Sequence, residues 1–595
     1  MNNVLLQTTS LQTPNIKKNK LFYLGGWCLE YKNINHETIF LKYPYDDRGL
    51  ISLHSRYIYN LYHKILNSIY LQLNILHNVN YSKRYWDIVL RNSLYYILES
   101  LYEKWTCIKT LARYKYSFFT EIYPIKLKKV MYNDSEELIS AHLLNVKNYK
   151  KKKSLFDHYI YGEIIKNYSN IKFKIVNNDN KILSFSSKYK KNKKKNYLDK
   201  FFLYISKIIF SFKKEFKFLF LDTLNLKFVL DICLKNKSFL LKIEEPELVT
   251  VDYKKEMREW SLNIKSSNEF ENFVDKMIPK ILPKSLVEGY SKNCFNIKKK
   301  ILARFKILFA YPSTCDVRNI FIAHQVESGS KIANFQHGGG YGQAKVFPHE
   351  VNEIEISDYF FTWGWSNYVY KKKKDIKKIV KFFPVNIFNK KVNYKKNDKI
   401  LLVLDNVACN FIYFRSNPIS LQASFYLERI KKFISNLDSN LRKKLIVRCY
   451  PHNYGTYDLY NILKRTFKDI EIEDGSCNIL RLYKKAKCCV FAQNSTAYLE
   501  SVNLNIPTII FWDANFYETR SSFKWFMTKH LKNKFYHKTS TGAANFLNAN
   551  YGILEKWWSN LNQKKYFQSF VGNYINQNVE GSKKKLNNFI KEITY

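Results

Sequence analysis

The ten cysteines include no CxxC pair and no spacing that would build a zinc site or a disulfide framework, so free thiols in a reducing compartment are expected. Acidic residues are scarce: 50 Asp and Glu stand against 98 Lys and Arg, a formal net charge of +48. That excess taken alone suggests nucleic acid or an anionic surface as partner. Yet Lys, Asn, Ile, Tyr and Phe are over-used together and all have A/T-rich codons, so the charge by itself identifies no function. No RNA- or DNA-binding motif accompanies it. Long apolar runs are missing as well. The most apolar segment, FFLYISKIIFSF at 201–212, is too short to span a bilayer and is interrupted by Lys207. The opening MNNVLLQTTSLQTPN has no basic region followed by an apolar stretch. A cytoplasmic protein, peripheral to a membrane at most, is the expectation.

What is present is ample core material. Hydrophobic residues make up 46% of 595, too many residues for one core, and two or three domains are expected. NKLFYLGGWCL (19–29) reads as a strand at 21–24 entering a Gly-Gly turn, and 50–115 as helices. The stretch 145–200, with KKKK at 150–153 and KYKKNKKK at 188–195, reads as a solvated Lys-rich insertion. From 300 the texture becomes α/β: strands at 305–311, 331–336 and 358–365, a helix at 316–329, then a linker-like segment at 369–398. From 399 strands and helices alternate cleanly, with strands at 399–405, 443–451, 470–474, 487–493 and 507–513. Such alternation with short loops means a parallel sheet flanked by helices. The expected division is 1–390, an N-terminal Rossmann-like domain with helical insertions, and 391–595, a C-terminal Rossmann-like domain.

Glycine is also scarce, 17 in all, yet four fall within Gly338–Gly342, directly after His337. Glycines after a strand let a ligand approach the backbone, and successive N–H groups form an anion nest; a tight turn is the plainer alternative. No GK[ST] follows, so this is not a Walker loop. In parallel sheets ligands sit at the carboxyl ends of strands. Three more turns lie there. RCYPHNYG (448–455) offers Arg448 and His452 to a phosphate, or is a surface turn. AQNSTAYLES (492–501) puts Asn494, Ser495 and Thr496 at a helix start, where hydroxyls and free N–H groups bind phosphate or merely cap the helix. FWDANFYETR (511–520) supplies Asp513, Glu518 and Arg520 for a ribose, base or sugar, or for structure.

LGGWCL, PYDDR (44–48), YSKRYWDIVL (81–90), NFQHGGGYG, EIEISDYFFTWGWS (353–366), RCYPH and NSTAYLESVNLNIPTIIFWD (494–513) together resemble the LIC12162-type transferases of surface-polysaccharide gene clusters. That family is distantly similar to CDP-glycerol glycerophosphotransferases and other GT-B enzymes. The resemblance implies two Rossmann-like domains facing a cleft, the acceptor on the N-terminal side and a nucleotide donor on the C-terminal side. It implies transfer of a glycosyl or polyol-phosphate group from that donor to a cell-surface glycan or lipid-linked acceptor, with no cofactor. Pro451-His452 and Asn494–Thr496 resemble the phosphate-binding places of such enzymes, and Gly338, Gly339, Gly340, Arg448 and Asp513 are candidates beside them. Gly25-Gly26 departs from an acidic residue usual in the family. The EDG at 473–475 resembles a sialyltransferase base motif but follows the PH, so no role is transferred. Candidates for the general base are His337, Asp46, Asp47 and Glu350, with His337 favoured by its near-neutral pKa. No DxD-type acidic pair stands at a strand end, so no metal is expected. Two competing readings are a basic nucleic-acid-binding protein and a sugar-nucleotide-binding scaffold without catalysis.

Overall fold

The computed structural model describes residues 3–594 apart from 13–19, 31–37, 145–146, 178–196, 223, 246, 302, 312, 369–378, 388–391, 394–396, 409, 412 and 452–456. His452 and the Lys188–Lys195 run lie outside the described residues.

Among the described residues fourteen strands form three sheets, every pairing parallel. The first contains β1 (Asn3–Gln7), β2 (Leu21–Tyr23), β3 (Ser117–Ile122) and β4 (Lys172–Ile175), in the order β2-β1-β3-β4. The second runs in sequence: β5 (Glu215–Phe220), β6 (Arg304–Phe309), β7 (Lys331–Phe335), β8 (Tyr359–Thr362) and β9 (Ile379–Lys381). The third contains β10 (Lys399–Val403), β11 (Leu445–Arg448), β12 (Glu471–Glu473), β13 (Ala486–Phe491) and β14 (Thr508–Ile510), in the order β12-β11-β10-β13-β14. The expected pair of Rossmann-like units, GT-B-like, is therefore the second and third sheets. Their central strands are apolar on both faces, as β10 and β13 show, because helices cover both sides of a parallel sheet.

The first sheet is an addition that sequence reading missed beyond the strand at 21–24. Helices Gly49–His77 and Lys83–Lys109 pack together and carry its core onto the second unit, where Lys83–Lys109 lies against Asp316–Glu327. The last helix, Val579–Thr594, returns to the second sheet and buries Leu586, Phe589 and Ile590 among Phe218, Phe309 and Phe361.

The reading of 150–153 as solvated is corrected. Lys147–Tyr168 is a helix in which Lys152 and Lys153 are buried. Lys152 meets Glu137, and Lys153 meets Asp157, which Lys104 also holds at 3.1 Å. Each cation has a carboxylate, and the aliphatic stems pack in the core; a run of like charge is solvated only when it lacks such partners. The apolar segment at 201–212 belongs to a helix, Tyr197–Phe212. No helix among the described residues is long and apolar enough to cross a membrane.

Candidate active site

The third sheet has the strand order 3-2-1-4-5, so consecutive connections diverge between β10 and β13. Ligands of open α/β sheets settle at that divergence, outside the carboxyl ends of the strands. Side chains there are organised rather than loose. Gln493, after β13, donates to the Val403 carbonyl of β10 (3.2 Å) and accepts from the Tyr426 hydroxyl (3.2 Å). That hydroxyl also accepts the Asp405 N–H (2.8 Å). Arg415 stands nearby. Its guanidinium has no carboxylate within ion-pair distance among the described residues; burial lowers its pKa and the charge of Asp405 opposes the shift.

Beside this point begins the helix Thr496–Asn503. Its N-cap, Ser495, has extended backbone but makes no side-chain capping bond. Ser495 Oγ and Asn494 Oδ1 are both shielded from water without a hydrogen-bond partner. The capping alternative to a phosphate site is therefore not realised here: the hydroxyl that should satisfy the helix's free N–H groups is unused.

The glycine turn after β7 meets this helix start directly. Gly339 N–H donates to Thr496 Oγ1 at 2.7 Å. A Cβ on Gly339 would lie 2.6 Å from the Ser495 carbonyl and from Thr496 N. The carboxyl edges of the two sheets thus face each other, and residues 337–342 and 494–496 come together as the topology required. The glycines serve this contact. Gly342, at φ +72, has Trp365 where a side chain would be, and its N–H donates to Glu350 Oε2 at 2.7 Å. Two N–H groups of the expected nest are thus spent on protein acceptors, and the main chain and rings of the protein itself are what come so close.

His337 opens the turn that makes this contact. Its ring stacks on Tyr311 from the end of β6 (centroids 5.1 Å apart, 22° between planes). Nδ1 lies 3.4 Å from Glu353 Oε1; the His337 side chain is 43% exposed, that of Glu353 only 4%. The Tyr341 hydroxyl donates to the same oxygen at 2.8 Å. A buried carboxylate at Nδ1 fixes the proton there and leaves Nε2 as the free nitrogen. The charge of Glu353 raises the His337 pKa above its ordinary value, against burial. Burial pushes the carboxyl of Asp222, after β5, up to about 8.

Other candidates sit differently. Glu350 is buried and paired with Arg520 at 2.9 Å, and Arg520 also reaches Ala344 and Asn367 carbonyls, so both are structural ties. Arg448 donates to the Gly475 and Cys477 carbonyls (3.1 and 3.2 Å) and shapes the EDG turn. Gly338 approaches Thr496 Oγ1, and Gly340, at φ +85, packs on Phe347. Asp513 lies 3.5 Å from Arg429 and lines a cleft of about 1210 Å³ with Lys345, Glu518 and Tyr536. Asp46 and Asp47 are exposed; their oxygens accept from Gln422 Nε2 (3.1 Å) and Gly49 N–H (3.0 Å).

Three residues escaped sequence reading. Glu353 opens the segment EIEISDYFF, and its distance from His337 along the chain gives no local pattern. Arg415 follows no strand directly. Arg48, last residue of PYDDR, forms two bonds to Glu518 (2.7 and 3.0 Å) and donates to the Arg415 and Phe516 carbonyls, joining the N-terminal half to the third sheet.

No curated protein matches the chain. Solved structures similar to it include MurG of Acinetobacter baumannii (10% identity over 51% of this chain and 78% of that one, TM-score 0.30). Others are the UDP complex of MnaA from S. aureus (13%, 53% and 84%, TM-score 0.31) and WaaG, a glycosyltransferase involved in lipopolysaccharide biosynthesis (9%, 51% and 95%, TM-score 0.27). Scores this low leave the fold to be read from the sheets themselves. The family comparison is of another order, matching residues 4–590, nearly end to end: the chain belongs to the LIC12162 family of transferases.

Proposed function

We propose that this transferase moves a glycosyl or polyol-phosphate group from a nucleotide donor to a hydroxyl of a cell-surface glycan or lipid-linked acceptor. The observation that carries the reading is the uncapped helix start at Ser495, with its unpartnered hydroxyl, held by the Gly339–Thr496 contact against the turn that begins at the Glu353-backed His337. His337 Nε2 takes the proton of the acceptor hydroxyl. The acceptor oxygen bonds to the transferred group as the bond from that group to the nucleotide's phosphate breaks, and the electron pair leaves with the phosphate. Negative charge growing there is met by the free N–H groups of the helix, Ser495 Oγ and Arg415. Glu353 holds the imidazole in register and stabilises the imidazolium that forms. Asp513 and Glu518, in the cleft beyond β14, suit the hydroxyls of a ribose or sugar. A reading as a nucleic-acid binder leaves this arrangement without a purpose.

Thermal shift against CMP, CDP, UDP and GDP tests the donor side. A nucleotide at a hundred times its Kd stabilises by roughly 2.7 kcal/mol, and Arg415→Ala should abolish the shift. No response to any nucleotide removes the reading.

A further inference from the structure

Large apolar side chains left in water are not scattered evenly over this protein. Nine of the nineteen among the described residues fall between 197 and 239. Five lie on the helix Tyr197–Phe212: Tyr197 (88% exposed), Phe201 (56%), Tyr204 (66%), Ile208 (43%) and Phe212 (87%). Their spacing of three and four residues makes one continuous stripe. The opposite side is already in use. Ser206 is buried and accepts the Lys242 N–H (2.8 Å), while Ile209 and Phe210 pack on the core beside Phe216. A helix with apolar residues on two sides is normally buried on both; among the described residues this one is covered on one side only.

The helix Leu226–Lys235 follows edge strand β5 and also exposes Leu226, Leu230 and Leu234 at successive turns. The chain then returns past the exposed Phe239 to Lys242–Glu244, where Glu244 pairs with Lys207 at 3.1 Å. The two helices pack on different cores, the first beside Phe216 and the second beside Phe218 and Phe220, so the stripe on Tyr197–Phe212 is a surface of its own. Lys200 and Lys207 border the first stripe, Lys213 and Lys214 follow it, and Lys227, Lys235 and Lys237 accompany the second. Among the described residues the carboxylates beside these lysines are already engaged: Glu244 by Lys207, Asp231 by Lys235 (3.4 Å) and Lys583 (2.8 Å), and Glu215 by Arg304 (3.8 Å).

We propose that the exposed face of the Tyr197–Phe212 helix is a docking face for an anionic lipid surface. A helix lying in the headgroup plane with aromatic and aliphatic residues inward and lysines at its border has the required chemistry. An apolar protein surface would satisfy the stripe but not the lysines at its border; soluble polyanion would satisfy the lysines and leave the stripe wet. The proposal is independent of the catalytic reading, since binding is measured without turnover.

The test is co-sedimentation of the full chain with phosphatidylcholine vesicles with and without phosphatidylglycerol. Three proteins are compared: wild type, Phe201→Ser/Tyr204→Ser/Phe212→Ser, and Lys584→Gln/Lys585→Gln, a control on exposed lysines of the last helix. Wild type and control should bind phosphatidylglycerol vesicles. The triple variant should bind about a hundredfold more weakly, as losing several inserted side chains implies, with an unchanged melting temperature. In Phe201→Trp, emission should shift to the blue on vesicle addition. Failure of wild type to bind overturns the proposal. So does a triple variant that binds like wild type, which leaves charge alone, or one that converts a dimer to a monomer, which makes a second copy the occupant.

Discussion

Gly339→Ala probes the contact that joins the two halves. The new methyl would lie 2.6 Å from the Ser495 carbonyl carbon and oxygen and from Thr496 N. These are backbone atoms at a helix start, which cannot rotate away as a side chain can. One half must retreat by most of an ångström. Overpacking of this kind costs about 1–3 kcal/mol, and losing the Gly339 N–H bond to Thr496 Oγ1 adds about 1 kcal/mol. The effect on chemistry should exceed the effect on folding, because His337 and Ser495 separate together; displacements near 1 Å cost about a hundredfold in rate. Urea unfolding and donor turnover are measured side by side. Gly552→Ala is the control, a glycine with nothing within 4 Å of the added carbon, and it should be silent in both. Wild-type stability and turnover in Gly339→Ala would refute the argument that glycine is there to let the sheets meet.

Other outcomes follow from neighbouring contacts. A base must be unprotonated, so turnover should rise with pH through a His337 pKa above its ordinary value; Glu353→Gln removes the charge that raises it and should move that limb to lower pH while reducing the maximum. An unshifted limb would take His337 out of the mechanism. Ser495→Ala should lower turnover by about 10²–10³ and leave the melting temperature nearly unchanged, because the hydroxyl makes no bond within the protein; the reverse pattern would make it an ordinary cap. Arg48→Ala should cost about 2 kcal/mol by leaving Glu518 and two carbonyls unpaired, read by denaturant midpoint, and adding Glu518→Gln should recover the part due to the unpaired carboxylate.

The third sheet and strands β6, β7 and β8 of the second were legible because their strands, such as KILLVLD and KCCVFAQ, are apolar on both faces and separated by helices of ordinary length; edge strand β5 was not read, and edge strand β9 lies within the segment read as linker-like. The first sheet was not, because β1 and β2 are short and β3, which pairs with β1, lies beyond two long helices, so no local alternation announces it. KKKK at 150–153 misled for the complementary reason. Asp157, four residues after Lys153, is the one carboxylate partner close to the run in sequence; Glu137, which meets Lys152, lies 15 residues before it. At the site, loops after strands pointed to His337 and Ser495, and the two turns do lie together. Arg415 and Glu353 are set by tertiary approach alone. The glycine turn was conspicuous, but composition could not say whether ligand or protein fills the space beside it.

The central claim is that the nucleotide's departing phosphate sits where the two sheets meet. A crystal structure with a nucleoside diphosphate bound tests it most directly. Phosphate oxygens should lie about 2.5–3.0 Å from Ser495 Oγ, with Arg415 alongside and His337 Nε2 open toward the acceptor side. Phosphates found instead in the cleft by Asp513 and Lys524, with Ser495 still unpartnered, would contradict it.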